Sequence, residues 1–160
     1  MGKEIERKYL IAMPDVQALR AYPGCTNSAI VQTYLLAPKG DELRVRQRTQ
    51  DGQTLYVKTL KRSISGFTRE EIEETITKDQ YDALLAQADP ACRPIEKTRY
   101  ALPYNGHVIE VDLYPFFTDC AIAEVELSSE TEAFSLPACI RVIREVTDDP
   151  AYKNAALARR

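Results

Sequence analysis

Residues 4–10 read Glu4-Ile5-Glu6-Arg7-Lys8-Tyr9-Leu10. In an extended strand successive side chains alternate between two faces. Glu4, Glu6 and Lys8 then share one face, while Ile5, Arg7, Tyr9 and Ile11 share the other. Neighbours on one face lie about 6.5–7 Å apart along a strand, so two carboxylates are held side by side. Like charges so placed repel, and a divalent cation between them relieves the repulsion. This face reads as one wall of a cavity that holds a metal and a polyphosphate.

The same alternation recurs down the chain. Residues 29–37 form an expected strand with Gln32 and Tyr34 on one face. In Glu42–Thr49, Arg44, Arg46 and Arg48 oppose Leu43, Val45 and Gln47; Asp51-Gly52 is a two-residue hairpin signal, and Leu55–Lys61 is the return strand. Lys58 and Lys61 have opposite parity there, so at most one of the two faces the cavity unless a bulge intervenes. After a loop at Ser63–Gly66, Arg69, Glu71 and Glu73 share a face against Ile72 and Ile76. Thr77 and Gln80 match a capping box for a helix from Lys78 to about Ala88. Cys92–Leu102 carries Arg93, Ile95, Lys97 and Arg99 on one face, and Asn105-Gly106 turns it into Val108–Tyr114, where Glu110 and Asp112 oppose Ile109, Val111 and Leu113. Cys120–Leu127 sets Glu124 and Glu126 against Ala123, Val125 and Leu127. Short helices are expected at Pro14–Ala21, near Glu130–Phe134, around residues 137–145 and from Pro150, the last carrying Tyr152, Lys153 and Asn154.

About eight hairpin-connected strands suit an antiparallel sheet and suffice to close a barrel. The expected class is α+β: an eight-stranded antiparallel β-barrel with helices in its connections and at the C-terminus. A charged face in water is the ordinary explanation for any single strand. It fits the set poorly, because acidic pairs (Glu4/Glu6, Glu71/Glu73, Glu110/Asp112, Glu124/Glu126) and basic pairs (Arg44/Arg46, Lys97/Arg99) segregate by sign. Closure would gather them around one channel. Arginine and lysine bind phosphate oxygens, and carboxylates hold Mg²⁺ or Mn²⁺ bridged to phosphates. Neither GxxxxGK[ST] nor GxGxxG occurs.

The bulk numbers are compatible with this. The chain has 160 residues, 44% hydrophobic and 28% charged, enough for one domain with a real core. A net charge of −3 argues against a bulk nucleic-acid or membrane-surface binder. Cys25, Cys92, Cys120 and Cys139 form no CxxC pair and read as reduced thiols of a cytoplasmic protein; His107 reads as a surface residue beside a turn. The N-terminus is charged from the start, so no signal peptide is expected, and no apolar run approaches a membrane span.

Glu4-Ile5-Glu6-Arg7-Lys8 resembles the ExExK signature of the CYTH superfamily, the triphosphate tunnel metalloenzymes. Leu43-Arg44-Val45-Arg46, Thr59-Leu60-Lys61, Arg69-Glu70-Glu71-Ile72-Glu73, Glu96-Lys97-Thr98-Arg99-Tyr100, Glu110-Val111-Asp112, Glu124-Val125-Glu126 and Tyr152-Lys153-Asn154 resemble its later blocks in order. ExExK alone is weak; ordered blocks along nearly the whole chain are specific. The resemblance implies a triphosphate tunnel, a requirement for Mg²⁺ or Mn²⁺, and hydrolysis of inorganic triphosphate to pyrophosphate and phosphate. It implies metal ligands Glu4, Glu6, Asp112, Glu124 and Glu126. Phosphates would be gripped by Lys8, Arg44, Arg46, Lys58 or Lys61, Arg69, Lys97, Arg99 and Lys153. Lys8 would ready water, with Tyr34 as a tyrosine partner to a lysine, and a homodimer is expected. The alternatives within the family are adenylyl cyclase, thiamine triphosphatase and nucleoside triphosphatase. Outside enzymology, the alternative is a non-catalytic polyphosphate-binding module. The absence of tryptophan and the 8% aromatic content favour a substrate without a base to stack.

Overall fold

The computed structural model describes residues 2–65 and 68–159. Its strands are β1 (Gly2–Ala12), β2 (Thr26–Leu35), β3 (Asp41–Gln50), β4 (Gln53–Ser65), β5 (Thr68–Ile76), β6 (Ile95–Tyr104), β7 (His107–Leu113), β8 (Cys120–Glu126) and β9 (Val142–Glu145). Helices are short: α1 (Val16–Ala21), α2 (Lys78–Leu84) and α3 (Asn154–Leu157). The order β5-β4-β3-β2-β6-β7-β8-β1 closes on itself through β5 and β1, which pair Glu4 with Arg69 and Ile5 with Thr68. The result is the expected closed barrel of eight antiparallel strands.

Local chemistry sets the registers. At Asp51-Gly52 and Asn105-Gly106 both residues take positive φ (52° and 76°, 47° and 81°), as a tight hairpin turn requires. Thr77 and Gln80 exchange side-chain and backbone hydrogen bonds in a complete capping box that starts α2. A 3₁₀ turn at Leu85–Gln87 continues it, close to the expected end.

The C-terminal third departs from expectation. Neither Glu130–Phe134 nor residues 137–145 are helical; Val142–Glu145 form β9 instead. β5 pairs only with Gly2–Ile5 of β1, which leaves the second half of that edge open. The β-branched pair Val142-Ile143 fills it, with Tyr9 opposite Glu145 and Leu10 opposite Arg144. β4 runs to Ser65, so most of the loop expected at Ser63–Gly66 is strand; Gly66 itself lies outside the described residues. β6 begins at Ile95 rather than Cys92. His107 is not freely exposed, because Glu132 on the loop after β8 pairs with its Nε2.

The main apolar core lies outside the barrel wall. Ile11, Tyr100, Leu102, Ile109, Val111, Ala123 and Val125 are buried beneath Leu19 of α1 and the segment carrying Phe134, Leu136 and Ile140. A second cluster sits within the barrel end: Leu10, Tyr34, Ile95, Tyr114 and Ile122 pack against Val146 and Leu157. Charge therefore occupies the barrel's middle while apolar burial outside and at one end stabilises it. Ile109→Ala, at a fully buried outer-core position, is expected to cost about 2–4 kcal/mol in urea unfolding.

Candidate active site

Strand parity turns Glu4, Glu6, Lys8, Gln32, Tyr34, Arg44, Arg46, Arg48, Lys61, Arg69, Lys97, Arg99, Asp112, Glu124 and Glu126 toward the barrel axis. Cross-strand partners share that face, as Gln32↔Arg46, Tyr34↔Arg44 and Lys8↔Glu124 show. The Lys58/Lys61 alternative resolves by register. Lys61 pairs with Glu42, on the arginine face of β3, and is buried; Lys58 pairs with Val45 and points outward beside Glu74 at 4.0 Å. No bulge separates the two lysines, so Lys58 cannot share the tunnel.

Part of this charge is neutralised internally. Asp112 has no solvent exposure, and its two oxygens accept from Arg99 Nε (2.7 Å) and Nη2 (2.9 Å). Lys97 Nζ lies 2.8 Å from the same carboxylate. Burial opposes the charge, but Arg99 and Lys97 hold the Asp112 carboxyl far below the usual range. Asp112 thus orients two cations, Arg99 and Lys97. Burial, reinforced by Arg99 and Arg46 and opposed by Asp112, brings Lys97 down to about 7. The lysine sits over the ring of Tyr114, 5.6 Å from its centroid, and Tyr114 donates to Asn154 Oδ1 at 2.6 Å. Tyr114 thus stands beside a lysine, and the expected Tyr34 lines one cavity with Lys8 and Lys61. Tyr114 escaped the reading of the sequence although it continues the Glu110, Asp112 parity.

The acidic wall combines Glu4, Glu6, Glu124 and Glu126. Lys61 Nζ donates to Glu4 Oε1 at 3.0 Å and lies 3.7 Å from Glu71. Burial pushes Glu4 up, but Lys61 and Arg44 bring it below its ordinary value. Glu124 likewise resists burial and is held at about 2 by Lys8, Arg99 and Lys97; Lys8 Nζ stands 3.6 Å from its Oε1 and donates to the Tyr152 carbonyl at 3.2 Å. Glu6 is the exception. Burial and the charges of Glu124 and Glu4 raise its carboxyl well above the ordinary 4.5. Glu126, more exposed, is raised by burial and then by Glu4 and Glu110.

The basic wall is under-neutralised. Among the described residues, Arg44, Arg46 and Arg48 form no ion pair within 4.0 Å, and the Nε of each is buried without a hydrogen-bond partner. Burial and the charges of Arg44 and Arg99 bring Arg46 down to about 9. Buried guanidinium groups left in this state call for an anion. A cavity of about 540 Å³ opens at the barrel end, lined by Glu6, Lys8, Tyr34, Lys61, Arg69 and Lys153 among others. Arg69 there pairs with Glu42 at 3.3 Å, and Lys153 is exposed at its rim.

A family model described as the CYTH domain matches residues 2–159. This chain belongs to the CYTH family. Curated relatives of this CYTH domain include an inorganic triphosphatase of Nitrosomonas europaea, 39% identical over 97% of this chain and 96% of the relative. Another inorganic triphosphatase, from Acetivibrio thermocellus, is 32% identical over 99% of this chain and 95% of its own. A crystal structure of an inorganic triphosphatase superposes with a TM-score of 0.61 at 34% identity, covering 100% of this chain and 97% of that one. A Pyrococcus horikoshii protein shares the fold at 22% identity and a TM-score of 0.62, over 80% of each chain.

The electrostatics of Glu6 set a pH dependence. A carboxyl raised on folding stabilises the fold below its unfolded pKa, and that contribution is lost as pH rises through the folded value. Without metal, Glu6 therefore costs the fold stability as pH rises above the ordinary carboxylate range. Glu6→Gln is expected to melt above wild type at pH 8 in chelator and to lose that advantage near pH 4, as thermal denaturation at the two pH values will check. Asp112→Asn leaves Lys97 and Arg99 short of their counter-charge and is expected to cost about 3–5 kcal/mol, measured by urea unfolding.

Proposed function

We propose that the chain is a divalent-metal-dependent inorganic triphosphatase, cleaving tripolyphosphate to pyrophosphate and phosphate inside the barrel. The observation that carries this reading is the row Arg44, Arg46 and Arg48, the first buried and the other two half-buried, each with a buried Nε that lacks a partner and, among the described residues, none in an ion pair. A compact polyanion supplies what those groups lack, and arginine forks match phosphate oxygens. Both high-coverage relatives are named inorganic triphosphatases.

The acidic wall fits a hard cation. Its donors are carboxylate oxygens, and Glu6 is held above its ordinary range by burial and then by its acidic neighbours, whose repulsion a cation would relieve. Among the described residues no three such side chains are already gathered into a cage. Mg²⁺ and Mn²⁺ need no such cage, since one or two carboxylates suffice when substrate phosphates and water complete the shell. Glu4, Glu6, Glu124 and Glu126 would hold the ion, which when bound would neutralise phosphate oxygens. Lys61, Arg44, Arg46, Arg69 and Arg99 grip and align the triphosphate, and Lys153 closes over its entry. Lys8, fixed by the Tyr152 carbonyl beside Glu124, orients the attacking water. Lys97, beside Tyr114 and paired with Asp112, adds positive charge to the wall that faces the substrate. Catalysis of this kind rests on positioning and charge stabilisation.

Four cysteines with no CxxC pair among them suit a reducing compartment, and we assign the protein to the cytoplasm. A homodimer would cover exposed apolar side chains such as Ile64 and Ile72 on β4 and β5.

Phosphate release from tripolyphosphate, ATP and thiamine triphosphate, each with Mg²⁺ and with Mn²⁺, tests the reading. Tripolyphosphate is expected to be the preferred substrate. Glu4→Gln is expected to lower turnover by about a hundredfold or more, and Arg44→Ala to raise KM by about tenfold. Cyclic AMP formed from ATP would overturn the assignment, as would tight polyphosphate binding with no phosphate released.

A further inference from the structure

Gln32 belongs to no group assigned above, yet it has no solvent exposure and both ends of its amide are engaged inside the tunnel. Arg46 Nη2 lies 3.1 Å from its Oε1, and its Nε2 lies 3.1 Å from the Tyr34 hydroxyl. This orientation is forced. Arginine carries only donors, so the amide atom facing Arg46 must be the oxygen, and the NH₂ must face Tyr34. The Tyr34 oxygen therefore accepts from Gln32. The Arg44 guanidinium, also a pure donor, lies beside that same oxygen. Neither of these neighbours can take the phenolic proton, the nearby Glu42 accepts from Arg69, and Tyr34 lines the cavity at the tunnel mouth.

We infer that Gln32 is a positioning residue for substrate: it fixes Arg46 and aims the Tyr34 hydroxyl proton into the tunnel as a neutral donor to a phosphate oxygen. Tyr34 keeps its proton in this role. Burial pushes its phenol well above the ordinary value, as suits a donor and not a base. The arrangement couples a charged and an uncharged phosphate contact through one amide. Disturbing the amide therefore disturbs both.

The inference rests on the triphosphate reading, so its test separates binding from turnover. Calorimetric binding of tripolyphosphate without metal reads the contacts alone, and hydrolysis with Mg²⁺ reads KM and kcat. Gln32→Met keeps the volume and removes both hydrogen bonds. It is expected to weaken tripolyphosphate binding about tenfold and to raise KM by a like factor, with kcat within about threefold and the melting temperature near wild type. Tyr34→Phe is expected to give a similar loss. The double variant should bind only slightly more weakly than Gln32→Met alone, because the amide acts on substrate partly through the Tyr34 hydroxyl that Tyr34→Phe removes. If Gln32→Met proves unstable, Gln32→Asn keeps the amide but is too short to span both partners, and it should show the same KM rise. Wild-type binding and KM in the folded Gln32 variant would overturn the inference, and so would losses that multiply in the double variant. Tripolyphosphate bound but not hydrolysed by wild type would instead overturn the triphosphatase reading and leave the Gln32 result readable from binding.

Discussion

Charge removed from water must find a counter-charge, and inside this barrel it finds one only in part. Asp112 shows the completed case: a carboxylate without solvent exposure accepts from Arg99 and stands beside Lys97. Glu4 with Lys61 and Glu124 with Lys8 are intermediate cases. Arg44, Arg46 and Arg48 on one wall, and Glu6 on the other, are left over. The interior is thus divided into a paired part that holds geometry and an unpaired part that awaits ions. An apolar core outside the wall sustains this arrangement, since the strands present Ile109, Val111, Ala123 and Val125 outward.

Much of this was legible in the chain because a strand has a period of two. The alternation of Glu4/Glu6, Arg44/Arg46 and Glu124/Glu126 assigned both the fold and the tunnel wall before any coordinates. More was legible than was used. A two-residue turn pairs residues symmetrically about itself. Asp51-Gly52 therefore sets Lys61 opposite Glu42 and Lys58 opposite Val45, which decides between the lysines. Asn105-Gly106 in the same way sets Arg99 opposite Asp112, and so foretells their ion pair. What lay out of reach was any contact set by non-adjacent elements. Tyr114 meets Asn154 across 40 residues, and β9 forms where β5 leaves the edge of β1. The helix expected around residues 137–145 failed for this reason, since an open strand edge outweighs local propensity.

The shortness of the helices has a related origin. α1 covers the outer core with Leu19, and Tyr81 of α2 packs on Val45 and Leu35. Neither helix carries a residue of the tunnel. α3, of four residues, closes the apolar end of the barrel with Leu157, and the turn before it brings Lys153 to the rim. Helices here are lids and covers for a site that the strands make by themselves.

The place of β1 in the chain bears on how the protein is made. The strand that carries Glu4, Glu6 and Lys8 is made before the strands it pairs with. Its partner β8 aligns Glu6 with Glu126, and its partner β9 aligns Tyr9 with Glu145. Once β5 has paired with Gly2–Ile5, the rest of β1 still waits for β8 and β9, and its charges disfavour adventitious strand pairing in the meantime. Contacts so distant in sequence slow folding. The wall of the tunnel that is translated first is therefore among the last to be completed.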